Sequence, residues 1–466
     1  MIFDGDCNFC RFWVARWQLT TGERVDYLPF QDPAVTARFP ELPRERFETA
    51  VHLVEPDGSV YSGAEAAFRA LACNPRAHWL LDWYARSPAF ARATETAYRF
   101  VAGHRTLFST LTRAAWGKHF EPPTQVLVRW VFLRSLAIVY LIAFVSLWVQ
   151  IHGLIGSHGI LPANQTMEAA QKGLTAANVG WDRYRLLPTL CWLNASDGFL
   201  GVQCAAGTVL AILLFVGIAP APCLFLLWLI YLSLSTVCRE FLGFQWDILL
   251  LETGFLAIFF APLQWLPRPS RNAPPSSASD KVAADVSRRT LFPGHLSPTS
   301  VGGYPLSAFI NGPAPPSRII LWLLRWLLFR LMFESGCVKW LSGDPTWRNL
   351  TALTFHYETQ PLPTWVGWYA QQLPASVQKL STALMFGIEV FLPFLIFGPR
   401  RLRHLACMAF IALQVCIFLT GNYCFFNLLT IALCLLLLDD AAIKNFMPFK
   451  WSLSPPLNSQ LSTPAW

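Results

Sequence analysis

The sequence predicts two unlike parts in one chain: an α/β domain over residues 1–117, then an all-α polytopic membrane domain of about eight helices. Three observations carry that reading. Only 14% of the 466 residues are charged and 54% are hydrophobic, where an ordinary soluble protein carries about 25% charged residues. Many of the Arg, Asp and Glu residues fall in roughly the first 120 positions. From Thr124 onward, apolar stretches of about the 20 residues a bilayer requires follow one another. The net charge of +8 implies no nucleic-acid partner, because the basic residues are dispersed or flank apolar stretches and form no stripe interleaved with aromatics.

Met1–Asp6 reads as a short apolar strand that breaks at Gly5. Cys7–Leu19 follows as a helix, with Phe9, Phe12, Trp13 and Trp17 at helical spacing, and Asp6 or Asn8 is available to cap it. Val25–Phe30 is expected as a second strand, Pro33–Phe39 as a short helix and Ala50–Glu55 as a third strand. Pro56-Asp57-Gly58 supplies a turn into Ser59–Ser62, a hairpin partner. Ala64–Cys73 is a helix capped by Ser62 or Gly63, and the remainder to about Gly117 is helical and basic. This β-α-β-α-β-β-α order is that of a thioredoxin-like domain. The chain starts directly on MIFDGDC without a signal peptide, so the domain is expected to stay cytoplasmic, where thiols are mostly reduced. The shortness of the first strand points to a start codon farther upstream.

Of the 12 Cys, all but two are scattered singly, most of them in apolar stretches where an inert buried thiol is expected. Cys7 and Cys10 are the exception. At a helix tip the first thiol meets unpaired backbone N–H groups and the positive end of the helix dipole, which favour thiolate. Cys7 is the expected attacking sulfur, and Cys10, one turn on, the resolving one. Asp4 and Asp6 oppose this, because adjacent carboxylates raise a thiol's pKa; their alternative role is to accept protons. The rival reading is a structural or metal-binding pair, but the sequence has no second Cys-x-x-Cys or Cys-x-x-His, so no metal site is expected. FDGDCNFC, with LPF, ETAVHLVEPDGSVYSGAEAAFRAL and AGHRTLF after it, resembles the DCC family of thiol-disulfide oxidoreductase-like domains over about residues 1–117. That resemblance implies Asp-Gly-Asp-Cys-x-x-Cys as the redox signature. Thr49 stands before the third strand where thioredoxins proper carry a cis-proline beside the disulfide.

Membrane spans are expected at about 126–149, 199–218, 220–238, 242–262, 318–341, 377–397, 402–420 and 424–438. Residues 263–317 are Pro-, Ser- and Gly-rich without an apolar period and read as a disordered linker. The linker divides the membrane domain into 124–262 and 318–440, and 441–466 is a short cytoplasmic tail. With the N-terminus inside, the loops 263–317 and 398–404 fall inside. They carry Arg268, Arg271, Lys281, Arg288, Arg289 and Arg400, Arg401, Arg403, as the positive-inside bias requires. The loops 150–198 and 342–376 fall outside and hold N-glycosylation sequons at Asn164, Asn194 and Asn349. Both termini are thereby cytoplasmic, in a bacterial inner membrane or, for a eukaryotic chain, the endoplasmic reticulum.

The span at 318–341 carries Arg325, Arg330, Glu334 and Lys339. Charges facing lipid cost on the order of 2.5–3.5 kcal/mol each, so this helix is expected among other helices. Arg330 and Glu334, four residues apart, are expected to pair. Asp247 and Glu252 mark either a polar site within the bundle or helix glue that pairs with Arg129, Arg134 or Arg325; Lys339 and Glu389 read likewise. The outer loop holds Trp347, Arg348, Asn349, His356, Tyr357, Glu358 and Trp365. His356 with Glu358 is a candidate acid/base pair, or else His356 packs in an interfacial aromatic belt.

GDPTWRNLTALTFHYETQPLPTW, with QWDILLLETGFLAIFFAP before it and GNYCFFNLLTIALCLLLLDD after it, resembles the lipase maturation factor family over roughly Thr124–Asp440. The resemblance implies a membrane protein of the endoplasmic-reticulum type that helps homodimeric lipases to mature. Its expected partners are exported clients such as lipases, a cytoplasmic thiol reductant and the lipid bilayer; no cofactor is expected. Animal members continue into a sizeable soluble domain after the last span, whereas about two dozen residues follow Asp440 here. Two alternatives differ in class. One is a membrane redox enzyme using a quinone or vitamin K-carboxylase-like chemistry, with Lys339 as base; the other is a redox-sensing transporter or scaffold.

Overall fold

The computed structural model describes residues 1–117, 122–263, 265, 300–301, 304–305, 315–360 and 362–446. Its first strand, β1 (Ile2–Phe3), pairs in parallel with β2 (Leu28–Pro29) and antiparallel with β3 (His52–Val54). A hairpin joins β3 to β4 (Val60–Ser62), which gives the sheet order β2-β1-β3-β4. The strands are shorter than the sequence suggests, two or three residues each, but lie where expected. Alternation along them feeds two cores. On one face Met1, Val51 and Leu53 meet the small residues Ala66, Ala67 and Ala70 of α4 (Gly63–Ala72), and on the other Ile2 meets Phe30, Val35 and Phe47.

The helix α1 (Asn8–Thr21) follows β1, and α2 (Pro33–Arg38) starts on the Asp32 cap, whose side chain accepts from the Ala34 N–H at 3.0 Å. No element is expected from the sequence at 44–49, where α3 (Arg44–Thr49) forms. Five of its six residues are polar or charged, so no apolar period announces it; Phe47 alone is buried, stacked on Phe30 at 6.3 Å. Three helices complete the domain: α5 (Trp79–Arg86), α6 (Pro88–Gly103) and α7 (Arg105–Trp116). The end of α7 lies on α1, with Trp116 and Phe12 rings 4.6 Å apart.

Among the described residues the membrane part, apart from the segment 263–317, is helical. Five of its helices are long and apolar enough to cross a bilayer: α8 (Val126–Ile155), α9 (Asp197–Val216), α10 (Pro220–Val237), α13 (Ala375–Phe386, continuing to Phe397) and α14 (Arg400–Thr420). The other three expected spans are present as helices that fall short on one count. α11 (Gln245–Phe260) has 16 residues and α15 (Phe426–Leu435) has 10, while α12 (Arg318–Leu341) is long enough but carries the charges already named. α8 runs through the centre, burying Phe132, Leu136, Tyr140 and Phe144 in one continuous core with α9, α10, α12, α14 and α15. The expected linker at 263–317 lies almost wholly outside the described residues, as does the tail beyond 446; within it, Ser300–Val301 and Tyr304–Pro305 pair as antiparallel strands. The two parts touch where Arg401 of α14 donates to the Ala114 carbonyl of α7 at 3.5 Å.

Candidate functional site

The head of α1 is capped by Cys7 itself and by neither Asp6 nor Asn8. The Cys7 Sγ accepts the Cys10 N–H at 3.3 Å, in the place a serine or aspartate oxygen would take. Asn8 is drawn away by α7: its backbone N–H and its Nδ2 both donate to Ser109 Oγ, at 3.1 and 2.9 Å. Asp4 is tied down on the other side, its Oδ1 accepting from Gln31 Nε2 at 2.7 Å and from the Asp6 N–H at 3.0 Å, while the Asp6 side chain is exposed. Both cysteines are free thiols.

The hydrogen bond from the Cys10 thiol brings Cys7 down to about 7, helped by the backbone N–H groups at the helix head and opposed by burial and by the Asp4 charge. The same hydrogen bond, with burial, holds the Cys10 thiol far above its ordinary value. The pair is therefore asymmetric: Cys7 is the thiolate near neutral pH, and Cys10 is the proton-bearing partner. Exposure runs the other way, with Cys7 only 5% exposed and Cys10 more open.

The polar groups of the membrane body are paired across helices. Arg330 pairs with Glu252 of α11 and not with Glu334, which is exposed and without a hydrogen bond or ion pair among the described residues. The i,i+4 geometry was available, but α11 packs against α12 and presents a carboxylate from outside the helix. Lys339 Nζ reaches both oxygens of Glu389, at 2.7 and 2.6 Å. Glu389 is 3% exposed and sits in a π turn, Gly387–Phe391, against which Gly336 of α12 closes. Asp247 binds neither Arg129, Arg134 nor Arg325; it accepts from the Tyr231 hydroxyl at 2.5 Å and from the Phe244 N–H at 3.2 Å, so it caps its own helix. Arg325 instead donates to the Leu436 carbonyl at 3.1 and 2.8 Å, and Arg134 lies over the Trp130 ring at 4.5 Å. Arg400 pairs with Asp439, and the neighbouring Asp440 accepts the Val126 and Val128 N–H groups at 3.0 and 2.9 Å, capping α8 from the far end of the chain.

Residues 127–292 and 303–445 match the family model for the lipase maturation factor transmembrane domain. Residues 1–111 match the model for a DCC1-like thiol-disulfide oxidoreductase. The chain belongs to the lipase maturation factor family. Among curated relatives, lipase maturation factor 2 of Mus musculus is 44% identical over 318 residues, covering 66% of this chain and 40% of the relative. Lipase maturation factor 2 of Homo sapiens is 42% identical over 329 residues, 67% and 40% of the two chains. Lipase maturation factor 1 of Mus musculus is 33% identical over 326 residues, 69% and 49%. The chain thus spans less than half the length of these relatives. No solved structure matches it.

The loop between α12 and α13 of this lipase maturation factor domain does not form the acid/base pair considered above. His356 Nε2 meets the Tyr423 hydroxyl at 3.1 Å, and Glu358 accepts from Gln371 Nε2 at 3.0 Å. Two residues apart on the short helix Leu353–Thr359, the two side chains leave on different faces. Burial, with the Lys339 charge, holds His356 below its ordinary value, so it is neutral at neutral pH. Trp347 stands edge-on to Phe386 at 6.2 Å with Lys339 Nζ 5.8 Å from its ring centre, Arg348 Nε donates to the Trp340 carbonyl at 3.4 Å, and Tyr357 is edge-on to His356. Asn349 ends the helix Pro345–Arg348 and is exposed, as is Trp365. Among the described residues no group of three or more His, Cys, Asp or Glu could hold a metal. Sequence reasoning missed Gln31, Ser109, Tyr423 and Asp439, all supplied from elements far along the chain with no local motif to mark them.

Proposed function

We propose that this chain is a membrane-embedded maturation factor for exported lipases or similar proteins, with a cytoplasmic thiol-disulfide exchange domain attached. The lipase role rests on the relatives named for it and on a match that runs through the membrane domain. A thioredoxin-like fold for residues 1–117 is supported by the sheet order β2-β1-β3-β4 and by the Cys-x-x-Cys at the head of α1, just after β1. In this reading there are eight spans, α8 to α15 in order, with both termini in the cytoplasm, an orientation supported by Arg400, Arg401 and Arg403 in the first turn of α14.

The observation that carries the exchange chemistry is the Cys7 sulfur at the head of α1, accepting an N–H bond at 3.3 Å. The Cys7 thiolate attacks one sulfur of a substrate disulfide and expels the other as thiolate. Cys10, losing its proton, then attacks Cys7 Sγ, forms the Cys7–Cys10 disulfide and releases the second substrate thiol. A cytoplasmic thiol reductant returns the pair to dithiol. Placed inside, the pair serves a cytoplasmic partner and not the disulfides of an exported client. With Lys339 held by both oxygens of Glu389, the carboxylase-like alternative loses its candidate base.

Three measurements test this reading. The pre-reduced full chain in detergent should reduce cystamine rapidly, one per Cys7–Cys10 pair, and this phase should vanish in Cys7→Ser. In sealed, right-side-out vesicles Cys7 should resist an impermeant maleimide, and labelling from outside would refute the topology. Co-expression with a homodimeric lipase should raise secreted lipase activity, and no change would remove the maturation role.

A further inference from the structure

Between α1, α4 and α6 the N-terminal domain keeps a cavity of about 420 Å³. It opens to the surface on one side, where Trp13 is 40% exposed and Ala97 is exposed, and its volume lies in the range of small-molecule sites. The hollow exists because four alanines, Ala64 and Ala67 of α4 with Ala97 and Ala102 of α6, face it where larger side chains would fill it. Its broad walls are the rings of Trp13, Trp17 and Phe68.

The polar groups on the wall are few, and they gather around Cys10. Among the described residues Asp4 and Arg105 are the only charged ones lining it, and they offset each other at 3.9 Å. Arg105 also donates to the Glu48 carbonyl at 2.5 Å. An ion lying in this open cavity would therefore find no counter-charge left and a mostly apolar wall, which disfavours it. The ligand is neutral, flat enough to lie among the rings, and carries an acceptor for the Arg105 and Tyr98 end. Cys10 lines the cavity and Cys7 does not, so a bound molecule meets the resolving sulfur.

We propose that this cavity binds a quinone, which the Cys7–Cys10 dithiol reduces. The inference rests on the dithiol reading given above and names a small-molecule electron acceptor for it. In the step, the Cys10 sulfur, having given its proton to Cys7, bonds a ring carbon. Cys7, deprotonated, then attacks the Cys10 sulfur; the S–S bond forms as the S–C bond breaks, and that electron pair returns to the ring. The quinone gains two electrons, the proton that Cys10 had passed to the Cys7 thiolate and one proton from solvent, and leaves as hydroquinone, while the dithiol becomes the disulfide.

The test uses the full chain in detergent, reduced and kept anaerobic, with duroquinone as probe, because its four methyl groups prevent permanent arylation of a thiol. One hydroquinone should form per two thiols lost, and none in Cys7→Ser. Ala67→Phe, or Ala97→Phe at the rim should the first variant fail to fold, should lower the ratio of the duroquinone rate to the cystamine rate roughly tenfold or more. Reduction of cystamine without duroquinone, or a duroquinone rate indifferent to both fillings, would overturn the inference and leave the disulfide-exchange reading standing. Failure with both acceptors would bring down the dithiol reading and this inference together.

Discussion

The thiol pair and the membrane ion pairs solve one problem, stabilising charge away from water, over very different chain distances. Cys7 is served by Cys10, three residues on, and by the helix head the two share. Arg330 and Glu252 are 78 residues apart, Lys339 and Glu389 are 50 apart, and Arg400 and Asp439 are 39 apart. The local arrangement sets a reactive pKa, because the groups involved form with the helix itself. The distant ones decide whether the helices assemble, because each charge stays uncompensated until its partner helix arrives.

That contrast is tested most severely at Lys339. Lys339→Met leaves Glu389, 3% exposed, without its cation, and breaking one side of a buried pair costs about 3–5 kcal/mol. The expected result is a collapse of monodisperse protein in detergent, measured by size-exclusion chromatography. Adding Glu389→Met to the same chain should restore most of it, since replacing both partners removes the stranded charge. Single and double variants failing alike would mean that this pair is needed for something besides charge compensation.

The thiol side is probed by pH. Alkylation proceeds through thiolate, so the iodoacetamide rate at Cys7 should level off above pH about 7 and fall roughly tenfold per unit below it. In Cys10→Ala the largest lowering influence is gone, and the midpoint should rise toward the ordinary thiol value of about 8.5. A midpoint that stays put would assign the effect to the helix head alone. A smaller change is expected from Ser109→Ala, which removes the acceptor of two Asn8 donors. Its cost is about 1 kcal/mol, read as a lower melting temperature of the reduced protein, with the Cys7 midpoint unchanged.

What could be read from the chain follows the same division. The strand, helix and turn order of residues 1–73 was legible because each element carries its own signal: Gly5 ends β1, Asp32 caps α2, and Pro56-Asp57-Gly58 makes the hairpin turn. Helix α3 was not, since a single buried Phe47 makes no period. The charged residues of the membrane body were legible as residues that need partners, but the partners were misassigned. Local spacing offered Glu334 to Arg330, and only packing reveals Glu252. The ends of the spans were less legible: α11 fills 245–260 of the expected 242–262, starting after Gly243, and α15 fills 426–435 of the expected 424–438.

The smallest effect expected is also the most discriminating. Arg330 and Glu252 each remain 41% exposed, in contrast to the near-complete burial of Glu389. Groups less enclosed by protein can rearrange when the pair is broken, so Arg330→Gln alone should destabilise by less than Lys339→Met. Glu252→Gln together with Arg330→Gln should be close to neutral, because two uncompensated charges disappear at once and amides can still bond across the same helix contact. Thermal denaturation in detergent, with the Lys339 variants measured alongside, gives the comparison. If the double glutamine variant is as damaged as Lys339→Met, the Arg330–Glu252 contact is doing more than holding α11 to α12. The ionised groups themselves would then have to take part in the function of the membrane body.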